Sequence, residues 1–458
     1  MIGRLGLVLS RHVERVVPDP FVIAILLTLV TAVAALLFGD FGDENRATAL
    51  LDSWRGGSPG LWSLLAFAMQ MCLILVTGHA LASTRPIRAL IDTLARIPQG
   101  TASAAALVGF VACLFGLLNW GLGLIVGALL AREVGFSMQR RNIPCHYPLI
   151  VAAGYTGLIV WHGGLSGSAP LSMTTAEGAA KVVPAEYLQQ IEAIALSDTI
   201  GSSMNLLVSG GLLILVPVLL ALLAPKNHIR TIDEFGVDPG DPKHDRLDTK
   251  HFPDRLNNSP IIAWLLGVPL LLALLRYITV SGVDRIGLNE ITVAMLAAGL
   301  LLHGSPLGYM RAVAEGAKGC AGIIIQFPLY AGIMAMMIAS GLMADLTEFF
   351  VRIGNEDTMP LLTMVSAGIV NLFVPSGGGQ WAIQAPIALE SGMQAGVSPG
   401  TMVMSVAYGD ELTNMLQPFW ALPLLAITGV RARDIVGYTA IVMVAAALWI
   451  AIGLLLAG

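Results

Sequence analysis

The sequence predicts an all-α polytopic membrane protein built as two inverted repeats, each with a re-entrant hairpin and a broken helix. Three observations predict it. Only 12% of the 458 residues are charged, against 56% hydrophobic, whereas a soluble domain carries about 25% charged residues. The apolar residues fall in long blocks, such as 21–38, 206–224, 261–275 and 435–456; runs of about 20 match the thickness of a bilayer's hydrocarbon core. Polar and glycine-rich interruptions recur at matching intervals in the two halves.

The elements follow in order. Residues 1–17 mix Leu5, Val8, Leu9, Val13 and Val16 with Arg4, Arg11, His12, Glu14 and Arg15. That pattern is an interfacial amphipathic helix, not a cleaved signal peptide. Spans are expected at about 21–38, 61–82, 147–171, 199–224, 260–278, 289–303, 320–341, 399–428 and 435–457. Two further apolar segments, 101–134 and 359–396, are interrupted. The first breaks at Asn119-Trp120-Gly121-Leu122-Gly123 and the second at Pro375-Ser376-Gly377-Gly378-Gly379. Amphipathic segments precede both, at 87–97 and 342–353. The loop 225–258 is hydrophilic and reads as a solvated cytoplasmic connector.

Charge orients the chain. If both interrupted segments are hairpins that enter and leave on one side, the segments 1–19, 83–100, 132–146, 225–258, 304–319 and 429–434 share a side. They hold 19 of the 25 Lys and Arg residues. The positive-inside rule then makes that side cytoplasmic. The N-terminus is expected in the cytoplasm and the C-terminus in the periplasm.

The halves match in spacing. Gly78 to Asn119 is 41 residues and Gly332 to Asn371 is 39; Asn119 to Pro170 is 51 and Asn371 to Pro418 is 47. The span 260–278 lies between the halves and would invert the second. Inverted repeats with broken helices mark secondary transporters whose site lies at the midplane.

Of the 30 carboxylates, Asp410 and Glu411 are expected well inside a span. A carboxylate at that depth costs several kcal/mol unless paired, hydrated or neutral, roughly 2.5–3.5 kcal/mol on insertion scales. Gly409 and Pro418 loosen the helix around them, and Thr413, Asn414 and Gln417 offer oxygens. The competing reading is that Asp410 caps a helix that starts late. The matching run in the first half is Trp161-His162-Gly163-Gly164-Leu165-Ser166-Gly167-Ser168-Ala169-Pro170. Helix ends at such a break present N–H groups to an anion. His162 could titrate there, although a single membrane histidine is more often a packing residue. Asn119, Asn371, Ser376 and the Gly377–Gly379 run at the hairpin tips could hold a hard cation. A glycine-rich tip could also serve only to turn the chain.

Other classes find little support. The net charge of −5 offers no nucleic-acid footprint. The four cysteines, Cys72, Cys113, Cys145 and Cys320, have no metal or redox spacing. An embedded enzyme with Ser166 as nucleophile, or His162 and Asp410 as a catalytic pair, lacks a hydrolase-type strand–turn–helix setting. A channel would not need an inverted repeat. The chain is read as no enzyme.

Several stretches resemble the short-chain fatty acid transporter family, which includes the bacterial acetoacetate-operon permease. Pro18-Asp19-Pro20-Phe21, Ala66–Met71, Val76–Ser83, Asn119-Trp120-Gly121, Arg132-Glu133-Val134 and Gly164–Ser168 resemble it. The most specific are Val374–Gly379 and Gln417-Pro418-Phe419-Trp420-Ala421-Leu422-Pro423. The resemblance covers nearly the whole chain. It implies uptake of monocarboxylates such as butyrate or acetoacetate across a bacterial inner membrane. It further implies a homodimer of elevator type, with a scaffold at 1–100 and 259–358 and a transport domain at 101–224 and 359–458. Carried over residue by residue, Asn119, Ser168, Asn371, Ser376, Thr413 and Asn414 become candidate ligands. Asp410 is the better candidate of the two acids, because Glu411 looks replaceable by Gln.

The resulting expectation is a cation symporter of short-chain monocarboxylates, with a C4-dicarboxylate or an amino acid as the alternative substrate. The cation, Na⁺ or H⁺, is expected at Asn119, Asn371, Asp410 and Thr413, with Na⁺ placed at Asn119 and Asn371. The substrate is expected at His162, Ser166, Ser168, Ser376, Gly377, Gly378, Thr413 and Asn414. Its tail would contact Trp120, Trp161, Trp381 or Phe419. No cofactor beyond the coupling ion is expected. No Lys or Arg is expected near the carboxylate of the substrate, which argues against a multiply charged one.

Overall fold

The computed structural model describes residues 18–56, 60–180, 191, 193–237, 251–282 and 288–457. The amphipathic helix expected at 1–17 lies outside them. Every regular element among the described residues is a helix. Seven helical stretches among them are long and apolar enough to cross a membrane, so this is a membrane protein.

The first half opens with α1 (Pro20–Phe38), whose first turn holds Pro20 and is capped by Asp19 accepting the Phe21 N–H at 2.9 Å. Proline has no N–H to leave unpaired in that turn. Then come α2 (Arg46–Arg55), α3 (Leu65–Ala82) and the amphipathic α4 (Arg85–Arg96). A helical hairpin follows, α5 (Thr101–Leu118) and α6 (Trp120–Arg140). After it, α7 (Tyr147–Tyr155) runs into a short 3-10 turn, Thr156–Ile159, and the helix breaks until α8 (Ser168–Ser172). The half ends in α9 (Ser203–Leu222).

The second half also carries an amphipathic helix before a helical pair and a broken helix, after four helices rather than three. It contains α10 (Pro260–Ser281), α11 (Leu288–His303), α12 (Pro306–Ala317) and α13 (Ala321–Ala339). The amphipathic α14 (Leu342–Arg352) precedes a second hairpin, α15 (Met359–Phe373) and α16 (Gly377–Gln394). Next, α17 (Pro399–Thr413) and α18 (Pro418–Thr428) are separated by the turn Asn414–Leu416, and α19 (Ala432–Ala457) closes the chain.

Packing follows from small residues at the contacts. A Cβ on Gly123 would lie 2.6 Å from Gly116 Cα, and one on Gly127 would lie 2.2 Å from Gly154 O. Glycine there lets α5, α6 and α7 touch backbone to backbone, as membrane helices do in the absence of a hydrophobic drive between them. The lipid-ward surface is apolar: Ile261, Leu265 and Leu272 of α10 are all exposed. Water could not cover such a face stably.

The structure differs from the sequence reading in four places. The first break is a single residue, because Asn119 ends α5 and starts α6, so Gly121 and Gly123 are helical. The second break spans 374–376, and Gly377–Gly379 form the first turn of α16. The loop after α9 is not simply solvated. Ile232 is buried, and Arg230 Nη1 donates to Asp434 Oδ1 at 2.8 Å, joining it to α19. Its residues 238–250 lie outside the described ones. Finally, Glu133 in α6 and Asp434 in α19 are buried too. Asp410 and Glu411 therefore have company among the buried acids.

Candidate functional site

Two broken regions, one from each half, meet inside the molecule. The first is the segment between the 3-10 turn and α8. The second is the turn between α17 and α18. Pro418 has no N–H, so carbonyls of the preceding turn lose their helical donor. Tyr155, at the end of α7, supplies one: its Oη donates to Asn414 O at 2.7 Å and Gln417 O at 2.9 Å. The first break is held in return. Glu411 Oε2 accepts His162 N–H at 2.9 Å and Gly163 N–H at 3.3 Å. Asn205 Nδ2 donates to Gly163 O at 2.8 Å, and Tyr408 Oη donates to Asn205 Oδ1 at 3.0 Å. The open backbone of each break is thus satisfied by side chains of the opposite half or of α9, as buried backbone requires.

The acids lie deep. His162 and Glu411 are 0% exposed and Asp410 1%. His162 Nε2 accepts the Ala169 N–H at 3.0 Å. The hydrogen of the neutral ring is therefore on Nδ1, and Nδ1 lies 3.3 Å from Asp410 Oδ1. Asp410 thus faces the ring, while Glu411 faces the backbone of the same break.

Asn371 is the hub of the second half. Its Nδ2 reaches Asp410 O at 2.8 Å, Thr413 Oγ1 at 3.0 Å and Asn414 Oδ1 at 2.8 Å. Thr413 passes its own hydrogen to Gly368 O at 2.9 Å. Gln417 Nε2 donates to Asn371 O. Several buried atoms of this cluster have no partner in the protein: Asn371 Oδ1, Gln417 Oε1, Asp410 Oδ2, Glu411 Oε1 and Asn414 Nδ2. Four of the five are oxygens, the donor type that suits Na⁺ or a proton. Among the described residues, no group of three or more His, Cys, Asp or Glu could hold a metal ion. A bound cation would have to use amide oxygens as well.

A second layer lies in front of the acids. Ser166 Oγ accepts the Trp120 N–H at 3.0 Å, tying the first break to the first hairpin tip. Ser376 Oγ caps α16 by accepting the Gly379 N–H at 3.2 Å. Both hydroxyls keep their hydrogens to give. Ser166, Ser168 and Ser376 are half-buried, and Gly378 is exposed. The glycine run has a packing reason: a Cβ on Gly377 would lie 2.7 Å from Trp161 Cη2 and 3.1 Å from both His162 Cε1 and Ser168 Oγ. Only glycine lets the second tip approach the first break this closely.

The structure therefore brings His162 to Asp410, gathers the Asp410 carbonyl, Thr413 and Asn414 around the Asn371 amide, and sets Ser168 against Gly377. Asn119 stands elsewhere, with the serine layer. Its Oδ1 caps α6 by accepting the Gly121 and Leu122 N–H groups at 2.9 and 3.2 Å. Its Nδ2 has no partner. An oxygen already taken by two amides is a weaker cation ligand than the open Asn371 Oδ1. Of the aromatic residues, Trp161 stacks on His162 at 4.2 Å and Trp120 meets Trp420 edge-on at 5.0 Å. Trp381 packs into a separate apolar cluster, and Phe419 stacks on Phe327. The sequence reading missed Tyr155, Tyr408 and Asn205. The available signal was polar residues inside apolar spans, which need partners at depth.

Buried acids, broken helices and paired hairpins inside a bundle of membrane helices define a membrane transport protein class. The chain matches the family described as short chain fatty acid transporter over residues 1–457, and it belongs to that family. It is 39% identical over 445 residues to an Escherichia coli (strain K12) protein provisionally named a short-chain fatty acid transporter, covering 96% of each chain. It is 37% identical over 446 residues to a Haemophilus influenzae protein of the same provisional name, again covering 96% of each. Among solved structures, the YdaH transporter of Alcanivorax borkumensis aligns over 96% of this chain and 97% of its own at 17% identity, with a TM-score of 0.44. MtrF of Neisseria gonorrhoeae aligns over 98% and 96% at 14% identity, with a TM-score of 0.32. Both scores are too low to carry an argument.

Proposed function

We propose that the protein takes up short-chain monocarboxylates, of the size of butyrate or acetoacetate, by symport with a cation across a bacterial inner membrane. One observation carries the reading, the charge balance of the site. Asp410 and Glu411 are buried in the site with no Lys or Arg side chain paired with either among the described residues, so a substrate carboxylate would arrive without a fixed positive partner. Uncompensated charges in a low-dielectric interior are untenable. A cation entering with the substrate would supply that partner, and this supports symport.

The roles divide by layer. The hydroxyls of Ser166, Ser168 and Ser376, with the amides at Gly377 and Gly378, receive the substrate carboxylate. Asp410, Asn371, Thr413 and the open Gln417 oxygen hold the cation behind it. Glu411 keeps the first break in shape. Trp120 and Trp161 flank the alkyl tail. A C4-dicarboxylate would bring two negative charges instead of one and is disfavoured on the same count. The hairpins and broken helices would move together past the remaining helices, in an elevator-type cycle within a homodimer.

The test is radiolabelled butyrate uptake into proteoliposomes under an imposed Na⁺ gradient and, separately, an imposed pH gradient. Accumulation driven by one gradient supports symport and names the ion. Exchange without gradient-driven accumulation would overturn symport. No uptake beyond the passive leak of the protonated acid would overturn the substrate.

A further inference from the structure

We infer that Trp420 sets the length of alkyl chain the site accepts, closing the far end of an aromatic row that begins with Trp161 and Trp120. The inference deepens the proposed monocarboxylate function and rests on it. Three tryptophans from three separate elements come together beside the serine layer. Trp161 lies in the first break, Trp120 opens α6 at the first hairpin tip, and Trp420 stands in the first turn of α18. Trp120 meets Trp161 edge-on with ring centroids 6.3 Å apart, and Trp420 edge-on at 5.0 Å. Trp161, Trp120 and Trp420 are 3%, 8% and 6% exposed. The rings therefore face protein rather than lipid.

The row starts at the polar part of the site. Trp161 stacks on His162 at 4.2 Å, and its Cη2 lies 2.7 Å from where a Cβ on Gly377 would be. That places it beside the amides assigned to the substrate carboxylate. Trp120 comes next, and its backbone N–H donates to Ser166 Oγ at 3.0 Å. Trp420 is the following ring and carries the row to α18. An alkyl tail leaving the carboxylate finds its apolar contacts along these rings, which offer large apolar area in fixed positions.

Trp420 is a firm end wall because of what backs it. Phe419 lies against it, nearly perpendicular, with centroids 5.1 Å apart. Phe419 is itself held by α13: Phe327 stacks on it at 4.1 Å and Tyr330 meets it edge-on at 4.9 Å. All three of these residues are fully buried. One turn further along α18, a Cβ on Gly322 of α13 would lie 3.4 Å from Leu422 Cδ2, so the two helices are in close contact there. An interior packed this closely resists added volume. A chain that stops short of Trp420 leaves the ring in place, whereas a longer one must displace it against α13.

Competition experiments measure the length limit. Unlabelled straight-chain acids from acetate to hexanoate compete with radiolabelled butyrate for uptake into proteoliposomes of the full-length protein. Uptake into protein-free liposomes is subtracted at each concentration. In wild type, hexanoate is expected to compete no better than butyrate. Each buried methylene strengthens binding about fourfold, so the two extra methylenes of hexanoate gain about fifteenfold once room is made. In Trp420→Ala the potency of hexanoate relative to butyrate should therefore rise about tenfold or more. It should rise less in Trp420→Leu and least in Trp420→Phe, which leave progressively less room. Stronger competition by hexanoate than by butyrate in wild type would overturn the inference. So would a ratio unchanged within twofold in all three variants, or an equal loss of potency for every acid; in each case butyrate uptake still supports the substrate. Wild-type protein that takes up no acid of the series overturns the substrate reading and the inference together.

Discussion

Nδ1 of His162 lies 3.3 Å from Oδ1 of Asp410, joining the helix break of the first half to the last turns of α17 in the second. The Ala169 amide fixes which ring nitrogen faces the acid. Asp410 is therefore the carboxylate with a proton-bearing neighbour and an open second oxygen.

Asp410→Asn removes the charge that a coupling cation would neutralise, while keeping the size of the side chain. Gradient-driven uptake is expected to fall at least tenfold, with the protein still folded. Proteoliposome uptake alongside a thermal melt checks this, and unchanged coupled uptake would sink the role.

Glu411 acts through two backbone amides that share its Oε2. The carbonyl oxygen of glutamine can accept both, so Glu411→Gln is expected to keep uptake within about threefold. Glu411→Ala leaves two buried N–H groups unpaired and should destabilise the protein by about 2–4 kcal/mol, at roughly 1–3 kcal/mol per unsatisfied group. Melting curves of the two variants should separate clearly, and overlapping curves would contradict the assignment.

The glycines of α16 are not equivalent. Gly377→Val must push Trp161 or His162 aside and should cost most of the uptake. Gly378 has only Ser168 Cβ near, at 4.0 Å from a built Cβ. Gly378→Ala should stay near wild type. Side-by-side uptake rates decide it; equal loss in both would show that the tip is insensitive to this contact.

The strap after α9 gives a stability prediction. Arg230 Nη1 bonds Asp434 at 2.8 Å, and its backbone N–H donates to His146 Nδ1 at 3.1 Å. Arg230→Gln should lower stability by about 1–3 kcal/mol, below the 3–5 kcal/mol typical of breaking a buried pair, because Arg431 still reaches Asp434 at 3.3 Å. His146 adds a pH dependence. Burial, reinforced by the nearby Arg230 charge, pushes it down from 6.5 to about 4. The folded state thus prefers the neutral ring. This group's contribution is intact above pH 6.5 and is lost as pH falls from there toward about 4. The loss of melting temperature across that window should be shallower in His146→Gln than in wild type. An identical slope would rule the group out.

Local signals were legible because membrane chemistry makes them strong. Long apolar runs favour spans, and Asn119, Pro375 and Pro418 stand where helices are interrupted, although Pro217, Pro269, Pro328, Pro386 and Pro423 lie inside helices. Most helix positions read from the sequence agree with the observed helices to within a few residues, but the stretch 147–171 is α-helical only to Tyr155, turns 3-10 to Ile159 and resumes at Ser168. The glycine run 377–379 misled because glycine is ambiguous locally: it turns a chain or clears space for a neighbour, and only the neighbour, Trp161, decides which. Glu133 was set in a loop because α6 extends further than its apolar run. The strap at Arg230 was invisible because a hydrophilic loop and a docked one have the same composition.

By itself the sequence determined that the chain lives in a membrane, roughly where its helices break, and that Asp410 and Glu411 must find partners. Those follow from backbone and burial energetics within one segment. The tertiary structure alone decided the partners. Tyr155 closes the break at Pro418, Glu411 closes the break at Gly163, and Asn371 rather than Asn119 is the hub. Such pairings are set by which helices pass each other, and no local property of either strand of the pair records that.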